Sequence, residues 1–348
     1  MNGRERELAA IRHELPDRIP LDAIRVENQG KIAEFLRIES SAVLDRLGID
    51  GRIVSAPYLG RLPEPVRGVD FTEWGTPDTG DYGTARYNPL GKMHSLSEID
   101  RYAWPDPGLY DFAAAAKAAR SLHGHYAVRG PYWNPLFCRA CDLFGMEGAM
   151  VRMLSEPQAF EAILDRVFQH TYEFCAHLLE SCGDSMPILC LGDDFATQKG
   201  LMISPEHWRR HLKPRYAKLF EMGRRAGKFI WFHSCGNITA VLDDLVEVGI
   251  DVWETVQLHT LPISAEQLKL RYGERLAFFG GISTQRLPFA TTEQVREETV
   301  RCIEALGKGG GYICGPDHHV KPDVTAQNAL ALFDAAMDFH RAGYTKCT

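Results

Sequence analysis

The chain has 348 residues, 45% of them apolar and 24% charged, a balance suited to a sizeable core, and its net charge of −7 argues against a nucleic-acid binder. No apolar run approaches the roughly 20 residues that cross a bilayer, and the N-terminus, Met1-Asn-Gly-Arg-Glu-Arg-Glu, lacks a signal-peptide core. The nine cysteines are scattered, mostly in apolar stretches such as Ile188-Leu-Cys-Leu, which points to a reduced, cytoplasmic protein and not to a disulfide framework.

In chain order, Arg18-Ile-Pro-Leu-Asp-Ala is the first strand candidate. Residues 52–108 follow, rich in Pro, Gly, Tyr and Trp with little periodicity, and read as long loops over a site. Trp74, Tyr82 and Tyr87 in this stretch suit a lid over a substrate. Tyr126-Ala-Val-Arg-Gly reads as a strand, and residues 143–154 and 157–179 as helices. Met186-Pro-Ile-Leu-Cys-Leu-Gly is a short apolar run ending in Gly-Asp-Asp, as buried parallel strands often do. Ser204-Pro-Glu-His then opens one long helix to about residue 225, with Ser as N-cap, Pro in the first turn and Gly227 as its stop. From there strands at 228–233, 251–254, 276–281 and 311–314 alternate with helices at 237–248, 266–272, 292–306 and 325–341. Repeated βα units without a linker predict one (β/α)8 TIM barrel over residues 1–348, with long N-terminal loop insertions over its mouth. A doubly wound open sheet competes, but no strand-Gly-x-Gly-x-x-Gly-helix fingerprint supports it.

The run Trp231-Phe-His-Ser-Cys-Gly places His233 and Cys235 two residues apart at a strand end. Residues i and i+2 of a strand share a face, and an imidazole with a thiol is a borderline-soft pair that suits zinc. A buried Cys is otherwise often only a small hydrophobe. Barrel chemistry sits at the C-terminal ends of strands, and Glu254 and Cys314 end two more of them. His233, Cys235, Glu254 and Cys314 therefore form the candidate metal set. Asp193 and Asp194 are a candidate general base or a carboxylate anchoring His233; capping a turn is the bland alternative. Asp317, His318 and His319 end the last strand, with His318 a candidate catalytic group. Tyr132, Trp133 and Asn134 are candidate pocket residues, or plain packing, and Gln198 and Gln285 are candidate amide donors to substrate, or loop braces. Cys138 and Cys141 form a Cys-x-x-Cys that, lacking a partner pair, reads as core.

Several motifs together resemble the uroporphyrinogen decarboxylase superfamily, and in particular its cobamide-dependent methyltransferases. They are Asp17-Arg-Ile-Pro, Gly192-Asp-Asp-Phe-Ala-Thr-Gln with Ile203-Ser-Pro-Glu, His233-Ser-Cys-Gly, Phe279-Gly-Gly-Ile-Ser-Thr-Gln-Arg-Leu-Pro, and Gly309-Gly-Gly-Tyr-Ile through Asn328. The resemblance implies a (β/α)8 barrel. The decarboxylase itself uses no metal and carries an Arg-rich N-terminal motif for the carboxylates of its substrate. Here the equivalent stretch, Asp22-Ala-Ile-Arg-Val-Glu-Asn-Gln-Gly, has a single Arg. In the methyltransferase branch a His-x-Cys, a later Cys and often a Glu hold Zn2+, which binds the sulfur or oxygen of the methyl acceptor. Carried over, this implies His233, Cys235 and Glu254, with the last ligand either Cys314, favoured by softness, or His318, favoured by alignment. The implied activity is methyl transfer between a small substrate (a methoxylated aromatic, a methylamine or a thiol) and a cobamide, methylcobalamin, on a separate corrinoid carrier protein. Two alternatives stay open: a metal-free decarboxylase using Asp194 and His318, and a non-catalytic corrinoid-binding barrel.

Overall fold

The computed structural model describes residues 1–78, 87–93 and 95–341. Among them, seven strands form one parallel sheet: β1 (Gly51–Ile53), β2 (Ala127–Pro131), β3 (Ile188–Gly192), β4 (Phe229–His233), β5 (Val252–Val256), β6 (Ala277–Ile282) and β7 (Tyr312–Pro316). They pair in sequence order, each with the next, as right-handed βα repeats lay down neighbouring strands. The sheet curls in the manner of a TIM-type barrel. Its two edges approach the stretch Pro20–Asp22: Cys314 N donates to Pro20 O, Asp22 N to Cys314 O, and Asp50 N to Leu21 O. The first strand expected from the sequence is thus an isolated bridge, Leu21 to Cys314, and the described strands of the sheet number seven rather than eight.

Period-2 alternation sorts the strand residues into two layers. Ala127, Ile188, Cys190, Trp231, Val252, Ala277, Phe279 and Ile313 meet inside the curl, joined by Leu8, Ala10 and Ile11 of the helix Gly3–Ile11. That helix plugs the N-terminal ends of the strands, where Gly311 N donates to Ala10 O and Arg4 N to His125 O. Val128, Leu189, Leu191, Ile230, Phe232, Trp253, Phe278 and Cys314 belong to the larger cluster beneath the outer helices. Both faces are apolar because both are covered, which is why the strands read as continuous hydrophobic runs.

Local chemistry explains where the helices begin and break. Ser204 caps Pro205–His211 by accepting from His207 N, but the single long helix expected there is two, Pro205–His211 and Lys213–Arg225. Pro214 lacks the N–H that would have carried the helix through, so it sits in the first turn of the second segment. Thr291 with Gln294 and Ser264 with Gln267 form capping boxes, and Gly249 at φ +95° ends Thr239–Val248. No described helix is long and apolar enough to cross a membrane.

Of the three aromatic residues expected in a lid, Trp74 and Tyr87 lie among the described residues. Trp74 is buried, its ring 4.5 Å from His170 and 6.3 Å from Trp104, so it anchors the loop to the long helix Pro157–Cys182. Tyr87 packs on Phe71 at 5.8 Å, and Tyr82 lies outside the described residues.

Candidate metal centre

The β3–β4–β5 register puts Gly192 opposite His233 and His233 opposite Glu254, with Gly192 and His233 the last residues of their strands and Glu254 in the middle of its own. A side chain at Gly192 would lie 2.8 Å from the Trp133 ring and 3.0 Å from His233 Cβ, so glycine leaves the space the imidazole needs. His233 Nδ1 faces Glu254 Oε1 at 2.7 Å, which turns Nε2 toward the mouth. There Cys235 Sγ stands 3.5 Å from Nε2, and ligand atoms of His233, Cys235 and His318 all lie within 4.8 Å of one another. His318 reaches the group from the end of β7, its ring 5.9 Å from that of His233. The loop carrying it is pinned by Asp317, which accepts from Thr284 N and Oγ1 at 2.9 and 2.7 Å.

The turn after β4 is equally constrained. Cys235 N donates to Asp194 Oδ1 at 2.8 Å, and Gly236 N to Gln257 Oε1 at 2.8 Å. Gly236 has φ +79°, and a Cβ there would lie 2.5 Å from Thr197 O, so only glycine fits against the hairpin Ala196–Thr197 and Gly200–Leu201.

Electrostatics separate the three ligand-type groups. Burial opposes a charge on His233, but the Cys235 sulfur and the Glu254 carboxylate outweigh it and hold the imidazole well above its ordinary pKa. Burial, then the charge of His233, pushes His318 down to about 3, leaving a neutral ring with a free lone pair. Burial raises the Cys235 thiol against the pull of His233. Glu254 is fully buried, yet its bond to His233 and the nearby Arg129 hold it below the usual carboxylate range.

Three sequence expectations change position here. Glu254 is spent on neighbours rather than on the ligand cluster: Oε1 meets His233 and Oε2 accepts from Trp231 Nε1. Cys314 lies among the outward-facing residues of β7, alternating with inward Ile313, so its sulfur is packed under the helices, where burial raises it to about 12. His318 takes its place in the cluster. Asp193 is the cap of the helix Phe137–Phe144, accepting from Leu136 N, Phe137 N and Cys138 N at 3.1, 2.6 and 2.9 Å and from Tyr216 OH at 2.7 Å. Its four donors leave it no reach to the mouth. Asp194, by contrast, has Oδ1 3.7 Å from His233 Nε2.

The remaining candidates divide. Tyr132 and Trp133 wall one side of His233, with ring centroids 5.7 and 5.5 Å from it and Tyr132 OH 3.3 Å from Nδ1. Asn134 turns away to Cys175 of the long helix. Gln198 and Gln285 are exposed in turns. Cys138 and Cys141 are buried core residues, Cys138 Sγ donating to Asp194 O at 3.2 Å. Gln257, Thr255 and Arg129 belong to the surroundings of the site without having been singled out; Arg129 had a signal, a charge in the middle of an apolar strand.

Fold and site together define a parallel α/β protein of the TIM-barrel type with a His-Cys-His cluster at its strand ends. Residues 84–339 match the profile of the family described as uroporphyrinogen decarboxylase (URO-D), and the chain belongs to that family. It is 30% identical over 275 residues to the uroporphyrinogen decarboxylase of Pseudoalteromonas translucida (strain TAC 125), covering 75% of this chain and 73% of that one. The Pseudomonas aeruginosa (strain LESB58) enzyme of the same name is 24% identical over 257 residues, covering 70% and 68%. Among solved structures, a methyltransferase from Methanosarcina mazei superimposes with a TM-score of 0.66 at 17% identity, covering 97% of this chain and 99% of that one, and so shares the fold.

Proposed function

We propose that this protein is a zinc-dependent methyltransferase that moves a methyl group between a small substrate and a corrinoid on a partner protein. The observation that carries the reading is the convergence of His233, Cys235 and His318, with ligand atoms within 4.8 Å of one another. Two imidazole nitrogens and a thiolate suit zinc, and three protein ligands leave a fourth position for substrate, as in catalytic zinc sites. Bound there, zinc would lower the pKa of a coordinated thiol or hydroxyl, keeping it anionic and nucleophilic at neutral pH.

The chain's own groups do the positioning. With zinc bound, Glu254 would keep the remaining His233 proton on Nδ1 and leave the Nε2 lone pair to the metal. Asp194 fixes the Cys235 backbone and stands close enough to take a proton from an arriving thiol or hydroxyl. Tyr132 and Trp133 keep water from one flank and offer aromatic faces to a small methoxylated aromatic, methylamine or thiol. Adding methylcobalamin and a candidate acceptor to the zinc-loaded protein should change the cobalt spectrum, and His233→Ala should abolish the change. No spectral change with any acceptor class, or one that survives His233→Ala, would sink the reading. Corrinoid binding without that change would mark a non-catalytic corrinoid-binding barrel.

The names of the relatives favour a second reading, a metal-free decarboxylase of a tetrapyrrolic acid. The single arginine in Asp22–Gly30 speaks against it, because several carboxylates need several guanidinium groups. Release of CO2 that survives both chelation and Cys235→Ser would establish the decarboxylase.

A further inference from the structure

Arg129 is fully buried in the middle of β2, and so are the three carboxylates around it, Glu7, Asp22 and Glu254. Its Nη1 bonds Asp22 Oδ2 and lies 3.7 Å from Glu7 Oε1, while its Nε has no hydrogen-bond partner among the described residues. Its guanidinium carbon sits 4.6 Å from the centre of the Trp231 ring. Trp231 Nε1 donates to Glu254 Oε2, and Glu254 Oε1 meets His233 Nδ1. A continuous polar chain, Asp22–Arg129–Trp231–Glu254–His233, thus runs from the interior of the curl to the metal cluster.

Stability alone does not account for it. The inner cluster beside Trp231 is Ala, Val, Ile, Leu, Phe and Cys, and replacing a buried ion pair by apolar side chains is often neutral or stabilising. The guanidinium instead has two local effects. Stacked on the indole face, it draws π density and sharpens Nε1–H as a donor to Glu254. Its bond to Asp22 also fixes the guanidinium against that ring, and with it the place of the indole N–H that Glu254 accepts. Burial and the neighbouring Asp22 push Glu7 well above the usual carboxylate range.

We propose that Arg129 is a positioning residue for the metal centre, holding Trp231 and Glu254 in the arrangement that fixes His233 with Nε2 toward Cys235 and His318. The inference rests on the reading of His233 as a metal ligand.

The test compares the wild type with Arg129→Met, Arg129→Lys and Asp22→Asn in three measurements: zinc and cobalt(II) titrations against a chelator, the thermal transition, and 1H–15N NMR of His233 in the metal-free protein. Arg129→Met should still unfold cooperatively, bind zinc at least tenfold more weakly, and shift the charge-transfer band from the Cys235 thiolate to cobalt. Arg129→Lys, which keeps the charge, should recover part of the affinity. In a Glu254→Gln background Arg129→Met should add little, because its effect passes through Glu254. The metal-free wild type should show a proton on His233 Nδ1 that Arg129→Met displaces. A folded Arg129→Met with wild-type affinity, cobalt spectrum and His233 signals overturns the proposal, as does an undiminished loss in the Glu254→Gln background. If the wild type takes up no metal, the methyltransferase reading fails on its own, and the Nδ1 proton still decides the role of Arg129. If Arg129→Met does not fold, Arg129→Lys and Asp22→Asn give the same comparison.

Discussion

Glu254→Gln separates two roles that the sequence left together, ligand and orienter. The carboxylate is fully buried, with one oxygen on His233 Nδ1 at 2.7 Å and the other on the Trp231 indole N–H. A glutamine has a single acceptor for these two donors. If its oxygen keeps Trp231, its NH2 faces Nδ1, which must then accept, and the His233 proton moves to Nε2 and blocks the lone pair a metal needs. If its oxygen keeps His233, two N–H groups meet at the indole. Partners of this kind are worth about 10- to 100-fold in metal affinity, or about 1.4–2.7 kcal/mol. Zinc affinity measured by chelator competition should therefore fall within that range while the protein stays folded. A loss beyond about a thousandfold would mean that Glu254 is itself a ligand, and unchanged affinity would refute the orienting role.

Asp193→Asn should cost about 2–4 kcal/mol in urea unfolding, because the amide places a donor among three backbone N–H groups and a tyrosine hydroxyl, while the folded fraction keeps its zinc. Wild-type stability with lost activity would return Asp193 to the chemistry. Gly192→Ala should weaken zinc binding and lower stability by about 1–3 kcal/mol, since the methyl group meets Trp133 and His233; a silent substitution would show that this flank can yield. His170, buried between Trp74 and Tyr110, has its pKa pushed down to about 4 by burial. Its unfolded form binds a proton first as pH falls, so stability present at pH 7 drains from about pH 6.5 to 4, on the order of 3 kcal/mol in all. His170→Phe should flatten that part of the pH–stability curve, and a curve identical to wild type would contradict the assignment.

What the sequence made legible follows from which signals are local. His233 and Cys235 could be paired on paper because i and i+2 share a face in any extended segment. The helix start at Ser204 was equally readable, since a cap is decided within four residues. The choice between Cys314 and His318 was not. β7 is covered on both faces, so Tyr312-Ile-Cys is apolar throughout and its pattern does not say which residues face inward. Glu254 stood out as a strand-end acid, but whether it meets an ion or an imidazole depends on the β4–β5 register, a long-range property. Asp193 looked reactive because it follows a strand, but the helix N-terminus it caps is that of Phe137–Phe144, which follows the neighbouring strand β2 and is far away in sequence. The bridge at Leu21 was too short to distinguish from a strand by propensity, and Trp74 looked like a lid because burial in a loop leaves no periodic trace.

The proposed chemistry depends on zinc held by His233, Cys235 and His318. Metal analysis of the purified protein and its single variants tests it most directly. The wild type should carry stoichiometric zinc, His233→Ala, Cys235→Ser and His318→Ala should lose it, and Cys314→Ser should retain it. A zinc-free wild type, or zinc that survives His318→Ala but disappears in Cys314→Ser, would contradict it.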